Sequence, residues 1–228
     1  MKIEQIHHVA YRCKDAKQTV EWYRDMLNMD FILAIAEDHV PSTHEPDPYM
    51  HVFLDAGMGN VLAFFELPTK PEMGRDENTP VWVQHIAFKV KDRDELVAFK
   101  ENLEAKGVEV LGVTDHSIFH SIYFFDPNGH RIELASPDPE EDAMLERLNE
   151  VKWDMLEEWS RTKRAPRHAD WMHAKELNAV RTGFRPPCSR RPRRSPAGVH
   201  PRKWPSHRRV PSREYPPASC SSPYRSWR

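Results

Sequence analysis

The sequence predicts an α+β fold of two βαβββ modules in series, a helical extension, and a tail of a different character. Three observations carry this. Each half contains strand-like segments of period two around one segment of helical period. The halves repeat each other, His8-Val-Ala-Tyr-Arg12 matching His85-Ile-Ala-Phe-Lys89 and Lys14-Asp15 matching Lys91-Asp92 at the same offset. Composition then breaks after Val180, beyond which Arg, Pro and Ser dominate and Leu, Ile, Met and Asp are absent.

In chain order, Ile3 to Arg12 reads as a strand carrying His7 and His8. Asp15 is a suitable N-cap for a helix whose apolar positions, Val20, Trp22, Tyr23, Met26 and Leu27, recur near helical spacing until Asn28-Met29-Asp30 ends it. Phe31 to Ala36 is the second strand and His39 to Tyr49 a loop; Met50 to Leu54 and Val61 to Leu67 are two more strands, joined through Gly57-Met58-Gly59-Asn60. These close a first module, residues 4–67. After a polar linker, Pro68 to Pro80, the pattern restarts with a strand at Val81 to Val90, a helix from Asp92 or Asp94 to Lys106 stopped by Gly107, and a strand at Val108 to Val113. The second module, 82–136, ends in a hairpin: Ser121 to Phe125, a tight turn at Asp126-Pro127-Asn128-Gly129, and a return at His130 to Ala135. Residues 137–178 form a helical extension, because an acidic opening at Asp138 to Glu141 precedes Met144, Leu145, Leu148, Val151, Met155, Leu156 and Trp159 at spacings of three and four.

The overall charge of −2 conceals an uneven chain. Residues 181–228 hold 13 Arg or Lys and one acid, which leaves 20 basic and 34 acidic residues, a net of −14, in residues 1–180. So acidic a body argues against nucleic acid as its partner. No apolar run reaches the roughly 18 residues of a membrane span, and Met1 to His8 resembles no signal peptide, so the expectation is a cytoplasmic protein with no membrane partner. Cys13 is the only cysteine before the tail, which suits a reducing compartment. The tail, residues 181–228, holds ten of the 20 prolines and cannot build a core, so it is expected to be disordered. A basic arm is one reading of it; translation of a GC-rich gene in a shifted frame is the reading we favour.

The chemistry lies in the repeated positions. A lone strand histidine is ordinarily structural, yet His8 and His85 occupy the same place in both modules, whereas His7 is matched by Gln84. Each module also ends in an acid, Phe64-Phe65-Glu66-Leu67 aligning with Arg131-Ile132-Glu133-Leu134. If the modules close on each other, these positions converge. Two neutral imidazoles and a carboxylate form the facial set that holds Fe(II) with three positions open, and with Glu66 added the set also suits Zn or Ni.

The duplicated pattern, with His-x-Ala on each first strand and Asp126-Pro-x-Gly129-x3-Glu133 at the end, resembles the vicinal oxygen chelate superfamily: glyoxalase I, bleomycin-resistance proteins and extradiol ring-cleaving dioxygenases. The resemblance covers residues 4–136 and implies that superfamily's fold. Within it, His116, Ile122, Tyr123, Asp126, Pro127, Gly129 and Glu133 fit the extradiol dioxygenase motif, most closely that of the one-domain catechol 2,3-dioxygenases, or metapyrocatechases. The resemblance implies Fe(2+) bound by His8, His85 and Glu133, with Tyr123 and His116 beside the substrate, and extradiol cleavage of a catechol-type aromatic diol by O2 to a 2-hydroxymuconate semialdehyde in aromatic catabolism. It also implies a homo-oligomer. The larger enzymes of that family carry an acid–base histidine at a position that aligns near Asn60; His51, His116 and His120 are the substitutes available. A glyoxalase I-like isomerase or lyase with Glu66 as fourth ligand is the alternative, and a metal-free binder, which has no use for matched His and Glu positions, ranks third.

Overall fold

The computed structural model describes residues 3–167 and Trp171; the expected tail and the end of the helical extension lie outside the described residues. The elements run β1 (Val9–Cys13), α1 (Ala16–Leu27), β2 (Asp30–His39), β3 (Pro46–Asp55), β4 (Val61–Glu66), β5 (Ile86–Lys89), α2 (Arg93–Ala105), β6 (Leu111–Asp115), β7 (Phe119–Phe125), β8 (Arg131–Pro137) and α3 (Glu141–Thr162). The order is βαβββ twice, then a helix, as the repeat predicts.

Each module makes its own four-stranded sheet with the same topology, β1-β4-β3-β2 and β5-β8-β7-β6. The first strand of each lies parallel to the last, and the remaining pairs are antiparallel. A parallel pair needs a long crossover, and the helix plus hairpin between first and last strand supplies it. Both helices begin on an aspartate. Asp15 accepts from the Gln18 amide at 2.8 Å and Asp92 from the Glu95 amide at 2.9 Å, satisfying donors that the first turn leaves unpaired. Asn28 ends α1 in the left-handed conformation at φ 54°, and Gly107 does the same after α2 at φ 83°.

Alternation fixes which face of each sheet is buried. In β3 and β4, Val52, Leu54, Leu62 and Phe64 point to α1, where the Tyr23 and Phe64 ring centroids lie 5.0 Å apart. In β7 and β8, Ile122, Phe124, Ile132 and Leu134 take the same role, and α2 adds Leu96 and Leu103 to the core. Each such side chain contributes about 1.5–3 kcal/mol by leaving water. The opposite faces carry His51 in the first sheet and Tyr123 and Glu133 in the second.

Several boundaries move from those expected, for one reason: a strand lasts only as long as its partner. The registers Val9↔Leu62 and Ile86↔Ile132 begin where β4 and β8 begin, so Ile3–His8 and Val81–His85 stay outside the sheets. Pro46–Tyr49, expected as loop, instead extends β3 against β2 alone, from Glu37↔Tyr49 to His39↔Pro46. Val108–Val110 lie outside β6, which pairs with β7 from Leu111↔Tyr123 onward. The apolar stripe of α3 is open: Leu145, Trp153, Leu156 and Trp159 are all exposed and the helix buries no residue, so it does not cover a sheet. Among the described residues no helix is long and apolar enough to cross a membrane.

Burial pushes the Cys13 thiol up to about 11. In a chain whose other cysteines, Cys188 and Cys220, are changed to Ser, Cys13 will therefore resist a disulfide reagent at pH 8 in the native state and react at once in denaturant. Rapid native labelling would show that β1 does not bury it.

Candidate metal centre

β7 and β8 pair so that Tyr123 opposes Glu133 and Ser121 opposes Ala135. Residues 121, 123, 131 and 133 therefore share the face turned away from Ile122, Phe124 and Ile132. Glu133 sits there at 4% exposure, a carboxylate that needs partners. The Ser121 hydroxyl bonds to its Oε1, and the Tyr123 phenol donates to the same oxygen at 3.0 Å. Its Oε2 lies 2.9 Å from Nε2 of His85.

The imidazole is oriented from behind. His85 Nδ1 lies 3.0 Å from the Val83 carbonyl oxygen, which can only accept, so Nδ1 carries the hydrogen. In the neutral ring Nε2 then presents a lone pair to a carboxylate oxygen. Two acceptors at that separation need a proton or a cation to bring them together, and a divalent metal ion suits the donor set: a backbone-tethered imidazole and a carboxylate with one oxygen already occupied.

Around this pair the hairpin arranges two further groups. His116 Nε2 lies 2.8 Å from the Tyr123 hydroxyl. Since the single phenolic proton goes to Glu133, His116 acts as the donor to the phenol oxygen in this arrangement. The Arg131 guanidinium lies over the Tyr123 ring, 4.1 Å from its centroid. Burial first, and then the Glu133 charge and hydrogen bond, raise the pKa of Tyr123, so it remains a protonated donor at neutral pH.

Of the expected site residues, His85, Glu133, Tyr123 and His116 are thus brought together. His8 is not with them in one chain. It lies beside the first sheet, with Nδ1 2.8 Å from that of His7 and its ring 6.0 Å from His51 and 5.8 Å from Phe53. Among the described residues no cluster of three or more His, Cys, Asp or Glu is placed to hold a metal. His51 has the more unusual setting: 8% exposed, stacked on Phe65 at 3.6 Å, and with a buried Nε2 that has no partner. Burial, reinforced by His8, lowers its pKa to about 4, so it is neutral at physiological pH. His120 takes the opposite face of β7 from Tyr123, within 3.9 Å of Asp115 and 4.0 Å of Asp138, which removes it from the acid–base candidates.

Glu66 requires a correction. The registers Val9↔Leu62 and Ile86↔Ile132 equate Leu62 with Ile132, so the counterpart of Glu133 is Ala63 and that of Glu66 is Ser136. The sequence match was three residues out of structural register, which also reversed the face. Glu66 points to α1, where its Oε2 accepts from the Ala16 amide at 2.7 Å. Ser121 and Arg131 were not singled out from the sequence, although each stands two residues from a chosen one and therefore on the same strand face.

The family model of the glyoxalase/bleomycin resistance protein/dioxygenase superfamily matches residues 5–134. MhqA of Bacillus subtilis (strain 168), whose name provisionally places it among ring-cleaving dioxygenases, is 28% identical over 88 residues, which are 39% of this chain and only 28% of that protein. The metallothiol transferase FosB of Staphylococcus epidermidis is 24% identical over 136 residues, covering 59% of this chain and 82% of FosB. Among solved structures, the fosfomycin resistance protein FosX of Listeria monocytogenes, crystallised with Mn(II) and sulfate, is 22% identical, with a TM-score of 0.45 over 62% of this chain and 99% of FosX.

Because Glu66 satisfies an amide at the start of α1, Glu66→Gln will weaken that helix end by about 0.5–2 kcal/mol, read as an earlier urea midpoint, and leave metal uptake unchanged. Metal loss without loss of stability would return Glu66 to the site.

Proposed function

This chain belongs to the glyoxalase/bleomycin resistance protein/dioxygenase superfamily, the premise from which we propose that it is an Fe(II)-dependent extradiol dioxygenase acting on a catechol-type diol and O2. The observation that carries the reading is the approach of His85 Nε2 and Glu133 Oε2 to 2.9 Å, with every other polar atom of the pair already engaged. His8 is the third ligand, supplied by a second copy of the chain. Two features support this arrangement. His8 lies apart from the pair in its own chain, and the first sheet leaves Leu33 and Ile35 exposed at 41% and 43% on the face that bears His51 and Phe53. A sheet face of that kind favours cover by another subunit.

A ferrous ion held by His85, Glu133 and the second copy's His8 would supply Lewis-acid and redox chemistry for the diol and oxygen. The chain's own groups do the rest. Ser121 and Tyr123 hold Oε1 of Glu133 and so leave Oε2 directed at the metal position. The Tyr123 hydroxyl, between His116 and Glu133, keeps a proton available at one fixed atom on the substrate side, and His116 can replenish it. His51 arrives with His8 from the second copy as a neutral imidazole whose ring lies 6.0 Å from that of the third ligand. Glu66 has no part in this site, and with it goes the support for a four-ligand isomerase.

Two outcomes test the reading. Anaerobically purified, Fe(II)-loaded chain will convert catechol to a yellow semialdehyde with oxygen uptake; an iron-loaded chain that consumes no oxygen with any diol tried would overturn the reaction. His8→Ala and Glu133→Ala will each be inactive alone. After unfolding and refolding together, roughly one site in four regains all three ligands and activity returns to that level if dimers share sites. No recovery would place His8 within its own chain or outside the site altogether.

A further inference from the structure

A cavity of about 670 Å3 opens beside His85, between the inter-module linker, the end of β1 and the hairpin turn. Among the described residues, Lys14, Arg75 and Arg131 line it, with Asp76 the one acid. We propose that this cavity is the subsite for an oxyanion borne by the substrate, a carboxylate or a phosphonate, and that Arg131, Lys14 and Arg75 select for it. The proposal deepens the catechol reading, because it rests on His85 and Glu133 as the reacting centre and names what else the substrate carries.

Charge is the first argument. Residues 1–180 carry a net of −14, yet this cavity has three cations to one acid. On so acidic a body, a local excess of positive charge provides the place where a small anion is attracted rather than repelled.

The second argument is that two of these cations, Arg131 and Lys14, form no ion pair with an acid among the described residues. Arg131 has its guanidinium over the Tyr123 ring, 4.1 Å from the centroid, a contact that leaves its donors available, and it forms no ion pair among the described residues. Among the described residues Lys14 Nζ reaches the Pro127 carbonyl, at 3.1 Å, and no acid. Asp76, the neighbour of Arg75, turns its carboxylate to the Thr79 hydroxyl and to the Asn78 amide at 2.9 Å. A planar guanidinium stacked on the ring that hydrogen-bonds Glu133 can grip one end of a substrate whose other end is at His85. The volume lies within the usual range for a small-molecule site, and Val81 and Ile86 supply apolar wall for a ring.

The test separates this proposal from the reaction. Full-length chain stripped of metal by chelator is titrated calorimetrically with benzoate, phenylphosphonate and the neutral benzyl alcohol, none of which has a diol. One of the two anions should bind at least roughly tenfold more tightly than the alcohol, with affinity falling between low salt and about 0.3 M salt. Preference for benzoate identifies a carboxylated substrate, and preference for phenylphosphonate a phosphonate. Arg131→Gln, Arg75→Gln and Lys14→Gln, each confirmed as folded by circular dichroism, should each weaken the anion several-fold and leave the alcohol unchanged. Equal affinity for anion and alcohol, or variants that bind the anion as the wild type does, would overturn the subsite. Anion selectivity without ring cleavage supports the subsite and removes the reaction; ring cleavage without anion selectivity does the reverse.

Discussion

The two modules are bolted together by a buried polar joint, and the site depends on it. Asp126 at the head of the hairpin turn accepts from the amides of Asn128 and His130 through one oxygen, and from the Asn128 side chain and the Tyr23 hydroxyl through the other. Asn128 in turn accepts from the Lys14 amide and donates to Thr19, while His130 donates to the Arg12 carbonyl. A turn of the second module thus completes the N-terminal end of α1 and the end of β1 in the first. Buried groups of this polarity are tolerable only with every partner present, so the joint admits one geometry. Gly129, at φ 92°, closes the turn where a side chain would be strained. From that fixed turn β7 and β8 run back in the register that sets Tyr123 opposite Glu133.

That dependence explains what could be read from the sequence. The hairpin was legible because its turn residues and its alternation are local, and the position of Glu133 on a strand face came with it; Tyr123 and His116 were implied by the resemblance to the extradiol motif. His85 was legible through repetition alone. The inner boundaries were not, since the ends of β1 and β5 are set by where their partners begin, a pairing many residues away. Glu66 misled for a related reason: matching acids by type placed it beside Glu133, while strand pairing places Ala63 there. Nothing in the sequence near His51 announced a buried imidazole, because its stacking on Phe65 joins two strands. That His8 lies apart from Glu133 follows from the packing of two sheets, which no repeat pattern encodes.

Electrostatically the hairpin face is economical. One carboxylate is shared among a hydroxyl, a phenol and an imidazole, and a guanidinium lies on the phenol ring without reaching the acid. Glu133 therefore has its Oε1 satisfied by directional donors rather than by a cation in contact. That leaves its remaining attraction for whatever approaches Oε2.

The duplicated architecture has one further consequence, at Ala63. Its side chain, in the place of Glu133 in the first module, is fully buried and opposes Phe53 across the sheet. A glutamate introduced there would meet Phe53 across the sheet in a fully buried position. Symmetry therefore holds for the backbone and not for the side chains: the matched position is a buried methyl group in one half and a carboxylate in the other.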